Sequence, residues 1–218
     1  MKVAAKAGRA EPIQIYADAI EGTPAAVRQY LPNEAACKRT MLYARGRDTP
    51  ALPKTLDELV IEGQWATTAG VSPENFLLFD NGPEAGERII IFATQQGLEY
   101  LAHAERWFMD GMFSTSPRLF QQLYTIRVPL GESAITVVYA LLQNKTQATY
   151  TTFLDTVVQE AEARCGITPN PTRVNIDFEK AMINAIDVAL EESSVQLCFY
   201  HLTQSPWRKT QKLGLTDE

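Results

Sequence analysis

The sequence predicts an α/β fold: a mixed sheet of three adjacent strands, then helix, strand, helix, strand and helix, behind a small N-terminal extension. Three observations carry it. Trp107–Phe113, Leu119–Val128 and Ala134–Leu142 are consecutive strand-like runs. Phe153, Leu154, Val157, Val158 and Ala161, and later Met182, Ile183, Ile186, Ala189 and Leu190, recur at helical spacing. Short apolar strands, at Val174–Ile176 and from Val195 to Tyr200, follow each crossover.

Taken in order, residues 1–33 are Ala-rich and interrupted by Pro12, Pro24 and Pro32, with room for one short helix around Pro24–Tyr30. Residues 37–54 set Lys38, Arg39, Arg45, Arg47 and Lys54 against one acid, Asp48. That is either a solvated helix and loop or a basic segment for phosphates. Phe76–Phe79 and Arg88–Phe92 flank the turn-rich DNGPEAGE and predict a hairpin. Thr94 is placed to cap a short helix through Leu101.

The first strand of the triplet puts Trp107, Met109 and Phe113 on one face and Phe108, Asp110 and Met112 on the other. Pro129-Leu130-Gly131 turns the chain into Ala134–Leu142, apolar on both faces and so expected to be central. Thr149 is expected to open the next helix and Gly166 to stop it. We divide the chain into an extension, 1–70, and an α/β domain, 71–218.

The bulk properties narrow the class. With 218 residues, 45% hydrophobic and 21% charged, the chain has the composition of a soluble globular protein. No apolar run approaches the ~18 residues of a membrane span, so no membrane partner is expected. Three cysteines, Cys37, Cys165 and Cys198, at unrelated spacings give neither a disulfide framework nor a paired metal knuckle. That usage suits a reducing, intracellular compartment. A net charge of −6 argues against the whole chain acting as an electrostatic DNA clamp.

Two acids sit where α/β folds gather chemistry: Asp110 in WFMDGMF, and Asp177 at the end of the Val174–Ile176 strand. They are 177 − 110 = 67 positions apart, so only the fold could unite them. If their strands are neighbours, both carboxylates project at one edge of the sheet, where such groups can hold Mg²⁺ ions roughly 3.5–4 Å apart. Each acid also has a plainer reading. Asp110-Gly111 could be an Asp-Gly turn, and Asp177 the N-cap of a helix beginning at Phe178. Glu179 reads as a first-turn surface acid. Cys198 and His201 end the last strand, as packing residues or as part of a site; Trp207, Arg208, Lys209 and Lys212 form a basic, aromatic-bearing last helix that suits DNA or solvent.

In this order, WFMDGMFSTSPRLFQQLYTIRV, VVYALLQNKTQATYTTFL, VNIDFEKAMINAI and CFYHLTQSPWRKTQKLGL resemble the catalytic domain of the Mutator-like element (MULE) transposases, over about Phe76 to Leu215. The resemblance implies an RNase H-like fold and a DDE-type mechanism of DNA strand cleavage and transfer that depends on Mg²⁺ or Mn²⁺. It also implies transposon ends as the DNA partner, the nucleus as the compartment, and homo-oligomerisation as an option. On that pattern Asp110 and Asp177 match the first two catalytic, metal-binding acids, and Cys198 and His201 match the C-x-x-H element beside the active site.

The chain departs from the family at Met112, where a small hydroxyl residue is usual, and in the third acid, which the family carries well beyond the C-x-x-H element. The stretch therefore reads as the front part of a catalytic core, incomplete at its C-terminus. Three functions compete: a transposase core, a catalytically inactive remnant that binds DNA or protein, and a decayed gene product.

Overall fold

The computed structural model describes residues 11–28, 30–48, 50–70 and 72–197. The chain divides into two compact units, Met1–Pro53 with Thr67–Pro73, and Lys54–Ala66 with Glu74–Glu218.

The first unit holds α1 (Pro12–Glu21), α2 (Ala25–Arg28) and α3 (Glu34–Asp48). Pro12 occupies the first turn of α1, where its missing N–H costs nothing. Asn33 starts α3 by accepting the Ala36 amide at 2.8 Å. The helix expected at Pro24–Tyr30 is present only as the single turn of α2. The longer helices flanking it are stabilised by burying Ile15 of α1 with Cys37 and Met41 of α3, a pairing across the sequence that no local pattern displays. Lys38 and Arg39 lie on the exposed side of α3, as a solvated helix would have them.

The second unit opens with the expected hairpin, β1 (Leu77–Asp80) antiparallel to β2 (Ile89–Phe92). Its anchor is Arg88, only 3% exposed. The guanidinium donates to both oxygens of Asp80, at 2.9 and 2.7 Å, and to the Leu56 carbonyl at 2.5 Å, tying the preceding irregular segment to the sheet. Thr94 then caps α4 (Gln95–His103), accepting the Gly97 amide at 2.9 Å.

β3 (Arg106–Met112), β4 (Gln122–Leu130) and β5 (Ser133–Leu142) follow as an antiparallel meander. Pro129 and Leu130 still belong to β4, and the turn is made at Gly131, whose φ of 60° favours glycine. α5 (Gln147–Cys165) is capped by Thr146, whose hydroxyl accepts the Thr149 amide at 3.1 Å. Thr149 is therefore inside the first turn rather than at the cap, and it spends its hydroxyl on Glu87 at 2.5 Å. Gly166 ends the helix in the left-handed region, φ 70°. β6 (Arg173–Ile176), α6 (Lys180–Ala189) and β7 (Ser194–Leu197) complete a parallel crossover.

Among the described residues seven strands form one sheet, ordered β1-β2-β5-β4-β3-β6-β7. The hairpin joins the main sheet through β2 on β5, so β5 is interior while β4 is the middle strand. One face carries the core: Trp107, Met109, Tyr124, Ile126 and Val138 from the sheet, with Phe153, Leu154, Val157, Met182 and Ile186 from the helices. Each large apolar side chain so buried contributes roughly 1.5–3 kcal/mol. The last helix expected from the sequence lies outside the described residues.

Candidate functional site

β3 and β6 are parallel neighbours. Their paired residues, Arg106↔Arg173, Trp107↔Val174 and Phe108↔Asn175, keep an offset of 173 − 106 = 67. Asp110 lies two residues beyond Phe108 in β3, and Asp177, just past the end of β6, two residues beyond Asn175. Paired residues on adjacent strands share a face, and the strands run about 4.8 Å apart. Trp107, Met109, Val174 and Ile176 point into the core, so the two acids belong to the opposite alternation, at the carboxyl ends of both strands.

Neither plain reading of these acids matches the backbone. Asp110 and Gly111 are not a turn: they lie within β3, opposite Thr125 and Tyr124 of β4. Gly111 is there for space, since a Cβ would fall 2.6 Å from Gln122 Oε1 and 3.2 Å from the Tyr124 ring. Asp177 is not the N-cap either. The helix begins at Lys180 with Glu179 in the cap position, its carboxylate capping nothing. Asp110 is exposed at the surface, whereas Asp177 Oδ1 is buried without a hydrogen-bond partner. A buried carboxylate oxygen with no donor is costly unless a positive charge meets it.

A polar network lies on the core-facing side of β4. Gln122, fully buried in β4, donates to the Tyr150 hydroxyl at 2.8 Å and to the Asn144 carbonyl at 3.4 Å, while its Oε1 has no partner. Burial pushes the Tyr124 phenol well above its usual range, aided by Tyr150 and then by the fields of Asp177, Glu179 and Asp110. The Tyr124 hydroxyl itself is buried without a hydrogen-bond partner. Tyr150 is also pushed up, first by burial, with the Gln122 hydrogen bond opposing and Glu179 reinforcing.

Glu179 departs from the surface acid expected of it. Its side chain is only 18% exposed and faces Lys145 Nζ at 3.9 Å. The same ammonium sits 3.6 Å from the centroid of the Phe113 ring. Sequence reasoning missed Lys145, Gln122, Tyr124 and Tyr150. The one legible sign was the pair of polar side chains, Gln122 and Tyr124, on the core-facing alternation of an otherwise apolar strand.

Cys198, His201, Arg208, Lys209 and Lys212 lie outside the described residues. Among the described residues, no group of three or more His, Cys, Asp and Glu side chains is placed to hold a metal ion. A groove of about 790 Å³ lies at the opposite end of β3 and β6, lined by His103, Arg106 and Arg173 together with Glu99 and Glu105. Its charges largely cancel and it touches neither aspartate. No described helix is long and apolar enough to cross a membrane.

A meander followed by parallel strands, with Asp110 in β3 and Asp177 just past its neighbour β6, gives an α/β domain consistent with an RNase H-like fold. Residues 106–205, from the first residue of β3 to beyond β7, match the family model of the MULE transposase domain. The matched stretch contains Asp110 and Asp177 and stops before Arg208. A comparison with curated proteins finds no match.

Proposed function

We propose that this transposase-derived chain uses Asp110 and Asp177 to hold divalent metal for cleavage and transfer of DNA strands. The observations that support the reading are the parallel pairing of β3 and β6, which carry the two acids at or just past their carboxyl halves, and the burial of Asp177 Oδ1 without a hydrogen-bond partner. The donor set fits: carboxylate oxygens are the hard ligands that Mg²⁺ and Mn²⁺ prefer. Bound there, such a metal supplies Lewis acidity at the phosphate and an activated water or 3′ hydroxyl. The chain's own part is positioning. β3 and β6, as parallel neighbours, set the spacing of the carboxylates.

The finer assignments rest on the family: Mg²⁺ or Mn²⁺ as cofactor, transposon-end DNA as partner, the nucleus as the place of action, and Cys198 and His201 beside the site. Arg208, Lys209 and Lys212 are proposed to hold the DNA backbone. The test is Mn²⁺ binding to the full chain, followed by the electron paramagnetic resonance signal of free Mn²⁺, with Asp110→Asn and Asp177→Asn alongside. Each variant should weaken binding by an order of magnitude or more. Equal binding by all three proteins would end this reading.

One observation favours a second reading, a remnant that binds DNA without cutting it: no third ligand joins the two acids among the described residues. On that reading a DNA duplex binds with a salt dependence reduced by neutralising Arg208, Lys209 and Lys212, and Asp110→Asn leaves binding intact.

A further inference from the structure

Asp110 lies in β3 and Asp177 just past β6, and one side chain touches the chain shortly after each. Phe113 lies three residues beyond Asp110, and Glu179 two residues beyond Asp177. Lys145 Nζ rests 3.6 Å from the Phe113 ring centroid and 3.9 Å from Glu179 Oε2. We propose that Lys145 is a positioning residue, tying these two segments together and so fixing the separation of Asp110 and Asp177. The inference rests on the metal-binding reading for its consequence, but the tie itself can be measured without metal.

The root of Lys145 is firm enough for this. The chain leaving β5 is held by Gln121 N–H on the Leu142 carbonyl at 2.9 Å and by Gln122 on the Asn144 carbonyl at 3.4 Å. On the other side Thr146 is locked as the cap of α5. Between these fixed neighbours the lysine arm reaches across to both segments. Glu179 is fixed in turn, because its carbonyl accepts the Met182 and Ile183 amides, both at 3.1 Å. A cation over an aromatic face and a partly buried ion pair are each modest attractions. Here they share one ammonium, so removing it releases both segments at once.

The sign of the metal effect separates positioning from plain electrostatics. A cation beside two carboxylates repels a metal ion, so Lys145→Met would tighten Mn²⁺ binding if charge were its whole role. Residues that orient metal ligands typically cost 10–100-fold in affinity when removed. The experiment compares the full chain with Lys145→Met and Lys145→Arg by amide hydrogen exchange over residues 111–114 and 177–180, and by Mn²⁺ titration. Lys145→Met should speed exchange several-fold in both segments together and weaken Mn²⁺ about 10-fold, while Lys145→Arg restores both. Unchanged exchange in either segment, or Mn²⁺ bound as tightly or more tightly by Lys145→Met, overturns the proposal. If wild-type binding of Mn²⁺ is indifferent to Asp110→Asn and Asp177→Asn, the metal reading fails instead. The exchange data then still decide whether Lys145 ties the segments.

Discussion

Gly111→Ala tests how the Asp110 segment is packed. A Cβ at this position would lie 2.6 Å from Gln122 Oε1 and 3.2 Å from Tyr124 Cδ2. An amide oxygen at the end of a free side chain would simply swing away. Gln122 is fully buried and its Nε2 is held by the Tyr150 hydroxyl at 2.8 Å, so it moves only by loosening that bond. Overpacking of this kind costs about 1–3 kcal/mol, and one weakened buried hydrogen bond about 1 kcal/mol. Because part of the strain relaxes, we expect a loss of about 2 kcal/mol in all, which lowers Tm by about 4–8 °C for a unit of this size. The assay is urea unfolding at neutral pH with Gly111→Ala, Gln122→Asn and the double variant. Gln122→Asn shortens the side chain by one methylene and withdraws the oxygen, so the double variant should be less destabilised than the sum of the singles. A neutral Gly111→Ala, or strict additivity in the double variant, would refute the packing argument and return Gly111 to a backbone role.

Other outcomes follow from the same contacts. Burial tends to raise the Asp80 carboxyl, but the Arg88 hydrogen bonds, the Gly82 amide and the Arg88 charge outweigh it and hold it below its ordinary value. Its contribution is therefore present above the unfolded pKa of about 3.9 and lost as pH falls through the lower folded value. Asp80→Asn should flatten that acid limb in a pH series of urea midpoints, and Asp80→Ala, leaving Arg88 buried and unpaired, should cost about 3 kcal/mol at pH 7. Tyr124 and Tyr150 are raised, so their contribution is complete below pH ~10 and is lost as pH rises through the folded values. In an absorbance titration at 295 nm they should ionise only with alkaline unfolding. Thr146→Ala removes the cap of α5 and should cost about 1 kcal/mol in the same urea assay.

Much of the second unit was legible because its signals are local. DNGPEAGE between apolar runs gave the hairpin, Thr94 the cap of α4, and Gly166 the end of α5. The alternation of Trp107 and Met109 against Phe108 and Asp110 gave the faces of β3. Where the reading slipped, the deciding contact was distant in sequence. Thr149 looks like a cap until Thr146 takes that place and Glu87 claims the Thr149 hydroxyl. Glu179 looks like a solvated first-turn acid because nothing in DFEKA signals a lysine placed thirty-four residues earlier, 179 − 145 = 34, against its carboxylate. α1 was invisible for the same reason, since Ile15 has its partners in α3.

The register of β6 along β3, the strands that lead to the two acids, is itself a consequence of the core. A strand has a period of two, so a one-residue slip of β6 along β3 would turn Asp177 to the other face and expose Val174 and Ile176. Those two side chains are essentially fully buried, as are Trp107 and Met109 beside them. Burying the pair Val174 and Ile176 is worth roughly 3–6 kcal/mol, far more than any carboxylate gains from a neighbour at the surface. The start of the register is pinned as well, by the Arg173 amide on the Glu105 carbonyl at 3.1 Å. Hydrophobic burial thus sets the register of the two strands, which leaves the finer separation of the acids to contacts such as those of Lys145.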